Sequence, residues 1–239
     1  MWGAAARYLL LSAVCLIATQ VSAVENDFFR VGTVAGTDKV TGHAYQHMYH
    51  HVLHGKRLRP MKVLEIGLGC TMNSGHASID LWQTYFQRLD LWLADIDTEC
   101  AAKVQNLTKN TILIGDQSSE ADLLRWVNTF GGQLDVIVDD GSHNPRHQLE
   151  SFRVLFEHGL KPGGVYFIED IESPSDRKID DGKFDKDGLS RDRLAYWVYE
   201  LMKFPRNSAV DIPTGLMMIL CQREACALFK CPADEPNCP

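Results

Sequence analysis

The feature that most constrains the fold is a regular alternation of short apolar strands and amphipathic helical segments between residues 60 and 168. β-Branched runs bounded by turn residues predict strands, and apolar residues spaced three and four apart predict helices. The predicted strands are 62–66, 91–96, 111–114, 134–138 and 165–168, and the predicted helices are 73–88, 98–105, 119–130 and 145–158. Such alternation builds βαβ units, so we expect an α/β fold with a mostly parallel sheet.

The end of the pattern departs from this alternation. After a predicted helix at 189–204, two strands are predicted at 208–212 and 216–221, separated only by residues 213–215. A connection that short joins antiparallel strands in a hairpin. A parallel sheet with an antiparallel C-terminal hairpin is the layout of the seven-stranded, doubly wound, Rossmann-like methyltransferase fold. The acidic stretch 173–188 is interpreted as a mobile loop or a substrate lid.

The first 23 residues form a segment of a different kind. Residues 1–7 carry one positive side chain, Arg7, residues 8–18 are nearly all apolar, and the segment ends in the small residue Ala23. This pattern predicts a signal peptide cleaved after Ala23, because the apolar run is shorter than the ~20 residues needed to cross a bilayer. An uncleaved anchor is the alternative. We expect a chain that starts near Val24 in the secretory pathway, either secreted or in the ER or Golgi lumen.

Cysteine usage favours the same compartment. Of seven cysteines, Cys15 lies in the signal segment and six remain. An even number of cysteines in an oxidising compartment indicates disulfides. Four of the six lie between residues 221 and 238, which predicts a disulfide-stapled tail at 223–239 whose pairing stays open. Zinc is the weaker alternative because tight CxxC pairs are missing. Cys70 and Cys100 are expected either to pair across the first two strand ends or to be buried small side chains.

Composition sets the remaining limits. With 45% hydrophobic residues the chain suits one globular domain, placed at 61–222 and preceded by an N-terminal segment at 24–60. The formal net charge of −7 argues against binding to nucleic acid. Asn106 begins a glycosylation sequon, which predicts an exposed site on a glycoprotein. No membrane span is expected after signal cleavage, and a homo-oligomer is compatible with the sequence.

Glycines and acidic residues follow three successive predicted strands. Gly67 and Gly69 would permit a tight turn and a close approach of the backbone to a ligand. Asp95 could accept hydrogen bonds from the ribose hydroxyls of an adenosyl group, and Asp116 with Gln117 would lie near the adenine amino group. Each feature alone could be an ordinary loop, but together they occupy the edge where open α/β sheets bind ligands.

The same loop distinguishes between nucleotides. A dinucleotide fingerprint, GxGxxG, would place a third glycine where this chain has Met72. Glu65 is better suited to a cationic methionine moiety than to a diphosphate. The sequence therefore favours S-adenosylmethionine over NAD, and it leaves an NAD-dependent oxidoreductase as a weaker alternative. Asp139, at the end of the fourth predicted strand, completes the expected cofactor-binding residues.

Carboxylates and an imidazole follow the next two strands. Asp140 and His143 belong to a DGSH sequence after the fourth strand, and Glu169 with Asp170 follows the fifth. Hard oxygen ligands grouped in this way suit Mg²⁺ or another hard divalent cation. The alternative is helix capping by Asp140 or Ser142 together with ordinary surface charge.

Histidines also crowd the region before the first strand. Four of them would share one face of a helix, namely His47, His50, His51 and His54. No glutamate stands between the i, i+4 pairs as it does in HExxH zinc sites. The cluster is therefore interpreted as a polar helix face that lines the substrate entrance rather than as a metal site.

The DGSH and ED motifs, together with GTDK at 36–39 followed by His43, Tyr45 and Tyr49, resemble the metal-dependent sugar O-methyltransferases of macrolide biosynthesis and their cephalosporin-pathway relatives. The resemblance covers about residues 36–171. It implies that Mg²⁺ is held by three carboxylates, which are Asp140, Glu169 and Asp170. It implies that His143 is the general base, and that a segment closes over the cofactor with the side chains of Lys39, His43 and Tyr49.

Two hypotheses of different classes follow. The first is an S-adenosylmethionine-dependent, Mg²⁺-dependent O-methyltransferase that acts on a hydroxyl of a small molecule or sugar. The second is a secreted, catalytically silent binding or interaction protein that keeps the methyltransferase scaffold. Asp140, His143, Glu169 and Asp170 together favour the enzyme, because a scaffold has no need of them.

Overall fold

The computed structural model describes residues 26–70, 76–171, 213–235 and 238. The predicted signal peptide, the loop at 173–188, the helix at 189–204 and the strand at 208–212 lie outside these residues. Within the described ranges, no helix is long and apolar enough to span a membrane.

Short helices precede the sheet. They are α1 (Asp27–Ala35), α2 (Asp38–Thr41) and α3 (Gln46–Leu53), followed by a 3-10 turn at His54–Lys56. Asn26 and Thr37 begin the first two helices, and each side chain accepts a hydrogen bond from a backbone N–H of the first turn. Gly36 ends α1 in the left-handed region. The GTDK sequence is therefore the sharp junction between α1 and α2, and it places Lys39 in the second helix.

The alternating region has the predicted architecture. Its elements in chain order are β1 (Pro60–Ile66), α4 (Ala77–Tyr85), β2 (Arg88–Asp95), α5 (Thr98–Gln105), β3 (Thr111–Ile114), α6 (Glu120–Phe130), β4 (Leu134–Asp139), α7 (Pro145–Val154) and β5 (Leu160–Ile168). Helix α7 continues into a π-helical turn at Leu155–Gly159. The predicted helix at 73–88 extends too far, because Phe86 is already extended and Arg88 begins β2.

Two further strands, β6 (Leu216–Gln222) and β7 (Ala225–Lys230), complete the sheet of the described chain in the order β3-β2-β1-β4-β5-β7-β6. Strands β1 to β5 are parallel, and β7 is antiparallel to both β5 and β6. The predicted fold class is thus confirmed.

The predicted C-terminal hairpin is corrected in its details. Strand β6 pairs with β7, and the turn between them is formed by Arg223 and Glu224. The expected tail at 223–239 therefore contains a strand of the sheet, and the folded domain extends to Lys230. The partner strand predicted at 208–212 lies outside the described residues.

Alternate residues of the strands pack on opposite faces of the sheet. On β1, Val63 belongs to the core beneath α1, α3 and α4, whereas Leu64 belongs to the core beneath α6 and α7. On the first face Phe28 stacks on Tyr49 with ring centroids 4.6 Å apart, and Tyr49 packs on Phe167 of β5 at 4.4 Å. This aromatic column fixes the N-terminal helices on the sheet.

All six cysteines after residue 23 form disulfides. Cys70 pairs with Cys100, Cys221 with Cys226, and Cys231 with Cys238. Of the two alternatives predicted for Cys70 and Cys100, the structure shows the disulfide. The second joins residues that face each other across the β6–β7 hairpin, on either side of its turn.

Candidate functional site

A cavity of about 390 Å³ opens at the carboxyl ends of the parallel strands. Its lining includes most of the expected site residues, which are Gly67, Gly69, Asp95, Asp116, Gln117, Asp140, His143 and Asp170. Thr37 and Asp38 at the start of α2 also line it, so the N-terminal segment covers part of the cavity. Residues from five strand ends and from several helices thus meet at one edge of the sheet.

Two glycines are required by close contacts in the wall. Gly67 has a φ of +99°, and a Cβ there would lie 2.1 Å from the carbonyl oxygen of Asp140. A Cβ at Gly141 would lie 2.0 Å from Oε1 of Gln117. The loops after β1 and β4 therefore touch, and they form one continuous wall between the glycine loop and the DGSH loop.

Asp95 ends β2 at the rim of the cavity. Its Oδ2 accepts a hydrogen bond from the backbone N–H of Leu68 at 2.8 Å, and its Oδ1 accepts one from the N–H of Asp97 at 2.8 Å. A carboxylate has lone pairs beyond these two bonds, so Asp95 can still accept hydrogen bonds from a ligand. Asp97, by contrast, caps α5 through its side chain. Ile96 between them is 65% exposed and offers an apolar surface at the mouth.

Asp116 and Gln117 follow β3 but have different surroundings. Asp116 accepts hydrogen bonds from the N–H and the hydroxyl of Ser118, and these bonds lower the pKa of its carboxyl group. Gln117 is buried, donates to Asp139 Oδ1 at 2.9 Å and accepts from the N–H of Ser142 at 2.7 Å. Gln117 therefore braces the DGSH loop, which sequence spacing did not indicate.

Asp139 is fully buried and does not line the cavity. Besides Gln117, its carboxylate accepts hydrogen bonds from Tyr166 at 2.9 Å and from the hydroxyl of Ser151. Burial raises the pKa of Asp139, and these hydrogen bonds oppose that shift. Asp139 therefore supports the DGSH loop from beneath, through Gln117, and the cofactor-binding role expected for it stays a prediction.

Lys39 lies at the centre of an acidic cluster that lies directly behind the cavity. Its Nζ is 2.7 Å from Asp140 Oδ2, 2.6 Å from Glu169 Oε2 and 3.4 Å from Glu65 Oε1. Burial would lower the pKa of the Lys39 ammonium, but the three carboxylates raise it well above its ordinary value. Lys39 is therefore a fixed internal cation that ties α2 to the ends of β1, β4 and β5.

Glu65 and Tyr49 lie in the same buried layer, and neither lines the cavity. Glu65 accepts a hydrogen bond from the hydroxyl of Ser78 at 2.8 Å, and burial raises the pKa of its carboxyl group. Tyr49 donates its hydroxyl to Glu169 Oε1. Three residues expected at the cofactor, namely Lys39, Tyr49 and Glu65, therefore lie behind the cavity wall, and direct contact with a cofactor stays a prediction.

The residues that are placed to hold a metal ion differ from the predicted ligands in one member, because His143 stands in the place of Glu169. Asp140, His143 and Asp170 each offer a ligand atom, and these atoms lie within 4.8 Å of one another. Glu169 is not in this group, because its two oxygens accept hydrogen bonds from Lys39 and Tyr49. Its role as a ligand stays a prediction.

The chemistry of this group fits a divalent cation. Two carboxylates and one imidazole face a cavity that admits water and an acceptor molecule, and hard oxygen ligands are those that Mg²⁺ prefers. Lys39 is the single cation described within the adjoining acidic layer, where it faces Glu65, Asp140 and Glu169. The carboxylates of Asp140 and Asp170 at the rim favour binding of a further cation there.

Asp170 is held from the side by residues of the N-terminal segment. Tyr45 donates its hydroxyl to Asp170 Oδ1 at 2.6 Å, and burial together with this bond raises the pKa of Tyr45. His43 stacks on Tyr45 and places Nε2 3.7 Å from Asp170 Oδ1. The other nitrogen, Nδ1, lies 3.0 Å from Oε2 of Glu224 in the β6–β7 turn. No recognisable motif surrounds Glu224, so its place beside the site could not be predicted from sequence spacing.

Other features of the sequence lie apart from the site or at its margin. Among the four clustered histidines, the rings of His50 and His54 pack in a tilted arrangement with centroids 4.6 Å apart, and His54 lies 3.4 Å from Asp27. None of the four lines the cavity. His147, which was not predicted, does line it and lies 3.0 Å from the hydroxyl of Ser142.

Known proteins whose sequences are similar to this chain are O-methyltransferases. No protein-family model matches the chain. The chain is similar to mycinamicin VI 2''-O-methyltransferase of Micromonospora griseorubida, with 37% identity over 117 residues, which are 48% of this chain and 28% of that protein. It is also similar to a tetracenomycin-C 3'-O-methyltransferase of Streptomyces olivaceus that acts on a methoxyrhamnosyl derivative, with 31% identity over 166 residues, 67% of this chain and 41% of that protein. The chain thus spans less than half the length of these relatives.

Solved structures that are similar to this chain include methyltransferases. MycE methyltransferase from the mycinamycin biosynthetic pathway, in complex with Mg and SAH, superposes with a TM-score of 0.69 at 25% identity, covering 89% of this chain and 57% of that chain. A complex of MycE with Mg, SAH and mycinamycin VI also gives a TM-score of 0.69. These similarities confirm the predicted methyltransferase fold and the resemblance to sugar O-methyltransferases.

Proposed function

We propose that the chain is an S-adenosylmethionine-dependent O-methyltransferase that requires Mg²⁺ or another hard divalent cation and acts on a hydroxyl of a sugar or small molecule. The observation that carries the proposal is one cavity with two kinds of wall. The glycine loop and Asp95 form one part, and Asp140, His143 and Asp170 form another. A methyl donor and a metal-oriented acceptor would meet between them.

The chemistry divides between the bound groups and the residues of the chain. S-adenosylmethionine would supply a sulfonium methyl group, and a divalent cation would make an acceptor hydroxyl more acidic. Asp140 and Asp170 would hold the cation through carboxylate oxygens. His143 lines the same cavity with Nε2 3.7 Å from Asp170 Oδ2, and it would accept the proton of the hydroxyl as general base.

The acceptor class rests on the relatives. The tetracenomycin enzyme named above is an O-methyltransferase of a rhamnosylated compound, and the mycinamicin enzyme is an O-methyltransferase of mycinamicin VI, as their names state. A similar acceptor for this chain agrees with a water-accessible cavity whose rim is acidic and polar. We therefore place glycosides first among acceptors, followed by phenols and other small hydroxylated metabolites.

Transfer of a labelled methyl group from S-adenosylmethionine to a panel of glycosides tests this function. With an acceptor in hand, His143→Ala should lower kcat by about 10²- to 10⁴-fold, the usual contribution of a general base. It should keep its affinity for S-adenosylhomocysteine. His158→Ala is the matched control, because His158 is exposed outside the cavity. Wild-type turnover in His143→Ala would remove the base assignment.

The same variant separates the two roles open to His143. If Asp140 and Asp170 hold the cation and His143 is the base, His143→Ala should bind Mn²⁺ nearly as well as the wild-type chain. A large loss of Mn²⁺ affinity would instead make His143 a ligand, and the base would have to be another group.

We also place the protein in the secretory pathway. Three disulfides connect all the cysteines after the signal segment, and such bonds persist in oxidising compartments. Asn106 is exposed at the end of α5, as a glycosylation site requires. Expression in secreting cells, with and without peptide N-glycosidase and with Asn106→Gln, tests both points. Unprocessed, unglycosylated protein in the cytosol would contradict them.

A further inference from the structure

Backbone strain is concentrated around the metal-binding rim. Four non-glycine residues have a positive φ in the ranges that the structure describes, and three of them belong to one cluster: His143 at +53°, Asp170 at +54° and Glu224 at +68°. Such conformations cost free energy and persist where the surroundings fix them, often at functional sites. The turn residue Glu224 is thereby linked to two residues of the proposed site.

Glu224 contacts the rim through both its backbone and its side chain. Its carbonyl oxygen accepts a hydrogen bond from the N–H of Ile171 at 2.9 Å and lies 3.4 Å from the hydroxyl oxygen of Tyr45. Its Oε2 lies 3.0 Å from Nδ1 of His43, whose Nε2 faces Asp170 Oδ1 at 3.7 Å. A chain of contacts therefore runs from Glu224 through His43 to the carboxylate of Asp170.

The turn that carries Glu224 is itself fixed. Cys221 and Cys226 are paired opposite each other on β6 and β7, and their disulfide closes the hairpin two residues from Glu224. The carboxylate of Glu224 is only 13% exposed, whereas its neighbour Arg223 is 82% exposed. A charged side chain that served only the turn would extend into solvent, as that of Arg223 does, whereas the carboxylate of Glu224 faces His43.

We propose that Glu224 is a positioning residue of the metal-binding rim: it holds His43, and through His43 it orients the carboxylate of Asp170. The proposal rests on the proposed function for the purpose of the rim, but the geometry of the contacts is independent of the reaction. Partners of this kind commonly orient ligating groups, and their loss costs about 10- to 100-fold in metal affinity or activity.

Titration of the purified, disulfide-bonded chain with Mn²⁺ alone, followed by calorimetry and by the Mn²⁺ EPR signal, tests the proposal without a substrate. Glu224→Ala should raise the dissociation constant for Mn²⁺ by about 10- to 100-fold. Glu224→Gln keeps an oxygen acceptor at the same distance and should restore most of the affinity. Asp234→Ala, which removes an exposed carboxylate near the same end of the chain, is the matched control and should leave the dissociation constant unchanged.

Further variants separate positioning from folding. His43→Ala should weaken Mn²⁺ binding to the same extent as Glu224→Ala, and the double variant should be no worse, because both changes break one chain of contacts. The dissociation constant for S-adenosylhomocysteine should stay the same in all of them. If Glu224→Ala does not fold, His43→Ala with Glu224→Gln gives the same comparison.

Three results would overturn the inference. One is a Glu224→Ala variant that is folded and binds Mn²⁺ as the wild type does. Another is an equal loss of Mn²⁺ binding, cofactor binding and melting temperature, which would make the turn merely structural. The third is a wild-type chain that binds no Mn²⁺. A wild-type chain that binds Mn²⁺ but not S-adenosylhomocysteine would defeat the proposed function, while the Glu224 comparison would still decide this inference.

Discussion

Lys39 and Glu169 form a buried ion pair in which Nζ lies 2.6 Å from Oε2, with only 1% and 2% of the two side chains exposed. The residues are 130 positions apart in sequence, on α2 and after β5. Burial raises the pKa of Glu169 well above its ordinary value, and Lys39 opposes this shift. The N-terminal segment is therefore joined to the carboxyl edge of the sheet by charge as well as by the aromatic packing of Tyr49.

Removal of the internal cation should destabilise the protein strongly. Lys39→Met should lower the free energy of unfolding by about 3–5 kcal/mol, because it leaves buried carboxylates without a counter-ion. Since the pKa of Lys39 is raised on folding, its stabilising contribution is fully present below the ordinary value of 10.5 and is lost only above it. Urea unfolding at neutral pH measures the loss. Lys103→Met, on the exposed side of α5, is the control. A loss equal to that of Lys103→Met would show that the pair has no net stabilising role.

The wall between the glycine loop and the DGSH loop should not tolerate a methyl group. Gly67→Ala would place a Cβ 2.1 Å from the carbonyl oxygen of Asp140 at a φ of +99°, so both loops would have to move. We expect a loss of cofactor affinity together with a lower melting temperature. Gly131→Ala has a similar backbone strain, at +76°, but open space around its Cβ. It should cost about 1 kcal/mol of stability and leave binding intact. Equal effects of the two changes would contradict the steric argument.

The disulfide between Cys70 and Cys100 should affect cofactor binding. Both cysteines line the cavity, and their bond joins the glycine loop to the first turn of α5 beside Asp95. Replacing both by serine should weaken binding of S-adenosylhomocysteine and lower the stability by about 3–4 kcal/mol. Serine at Cys231 and Cys238, whose disulfide lies outside the cavity lining, should lower stability only. Calorimetric titration and thermal unfolding of both double variants would measure this. Unchanged affinity after loss of the first bond would refute the coupling.

Asp140 should be the carboxylate on which metal dependence rests. It is the member of the metal group that also contacts Lys39, so Asp140→Asn removes one ligand charge without changing the size of the side chain. Methyl transfer should then no longer respond to added Mg²⁺. In the wild type, a chelator should abolish activity and excess Mg²⁺ should restore it. A wild-type rate that a chelator leaves unchanged would exclude a metal in the reaction.

The parallel part of the fold could be predicted because its signals are local. The strand at Thr111–Ile114 and the helix at Thr98–Gln105 have the predicted bounds, since turn residues or caps mark their ends. The β6–β7 hairpin was not predicted, because its turn lacks the usual local signals. Its turn, Arg223 and Glu224, contains neither glycine nor asparagine, and Glu224 takes a conformation that those residues usually occupy. Strand β7 lies between cysteines and prolines, and this composition is the reason that the predicted tail at 223–239 included it.

The site could be predicted as far as strand ends allow. Gly67, Asp95, Asp140, His143 and Asp170 follow strands whose carboxyl ends meet at one edge, and the structure brings them to one cavity. Which of the other residues face that cavity depends on contacts between distant segments. Glu65, Asp139 and Glu169 are turned into buried layers by Lys39, Gln117, Tyr49 and Ser78. Sequence spacing carries no information about such pairings.

The proposed function requires that one cavity bind S-adenosylmethionine and a divalent cation together. Calorimetric titration of the folded, disulfide-bonded chain with S-adenosylmethionine, with and without Mg²⁺, tests it most directly. We expect one binding site for S-adenosylmethionine per chain, which Asp95→Ala weakens, and a separate Mg²⁺ site, which Asp140→Asn removes. A folded chain that binds neither S-adenosylmethionine nor Mg²⁺ would contradict the account and leave the methyltransferase fold without its chemistry.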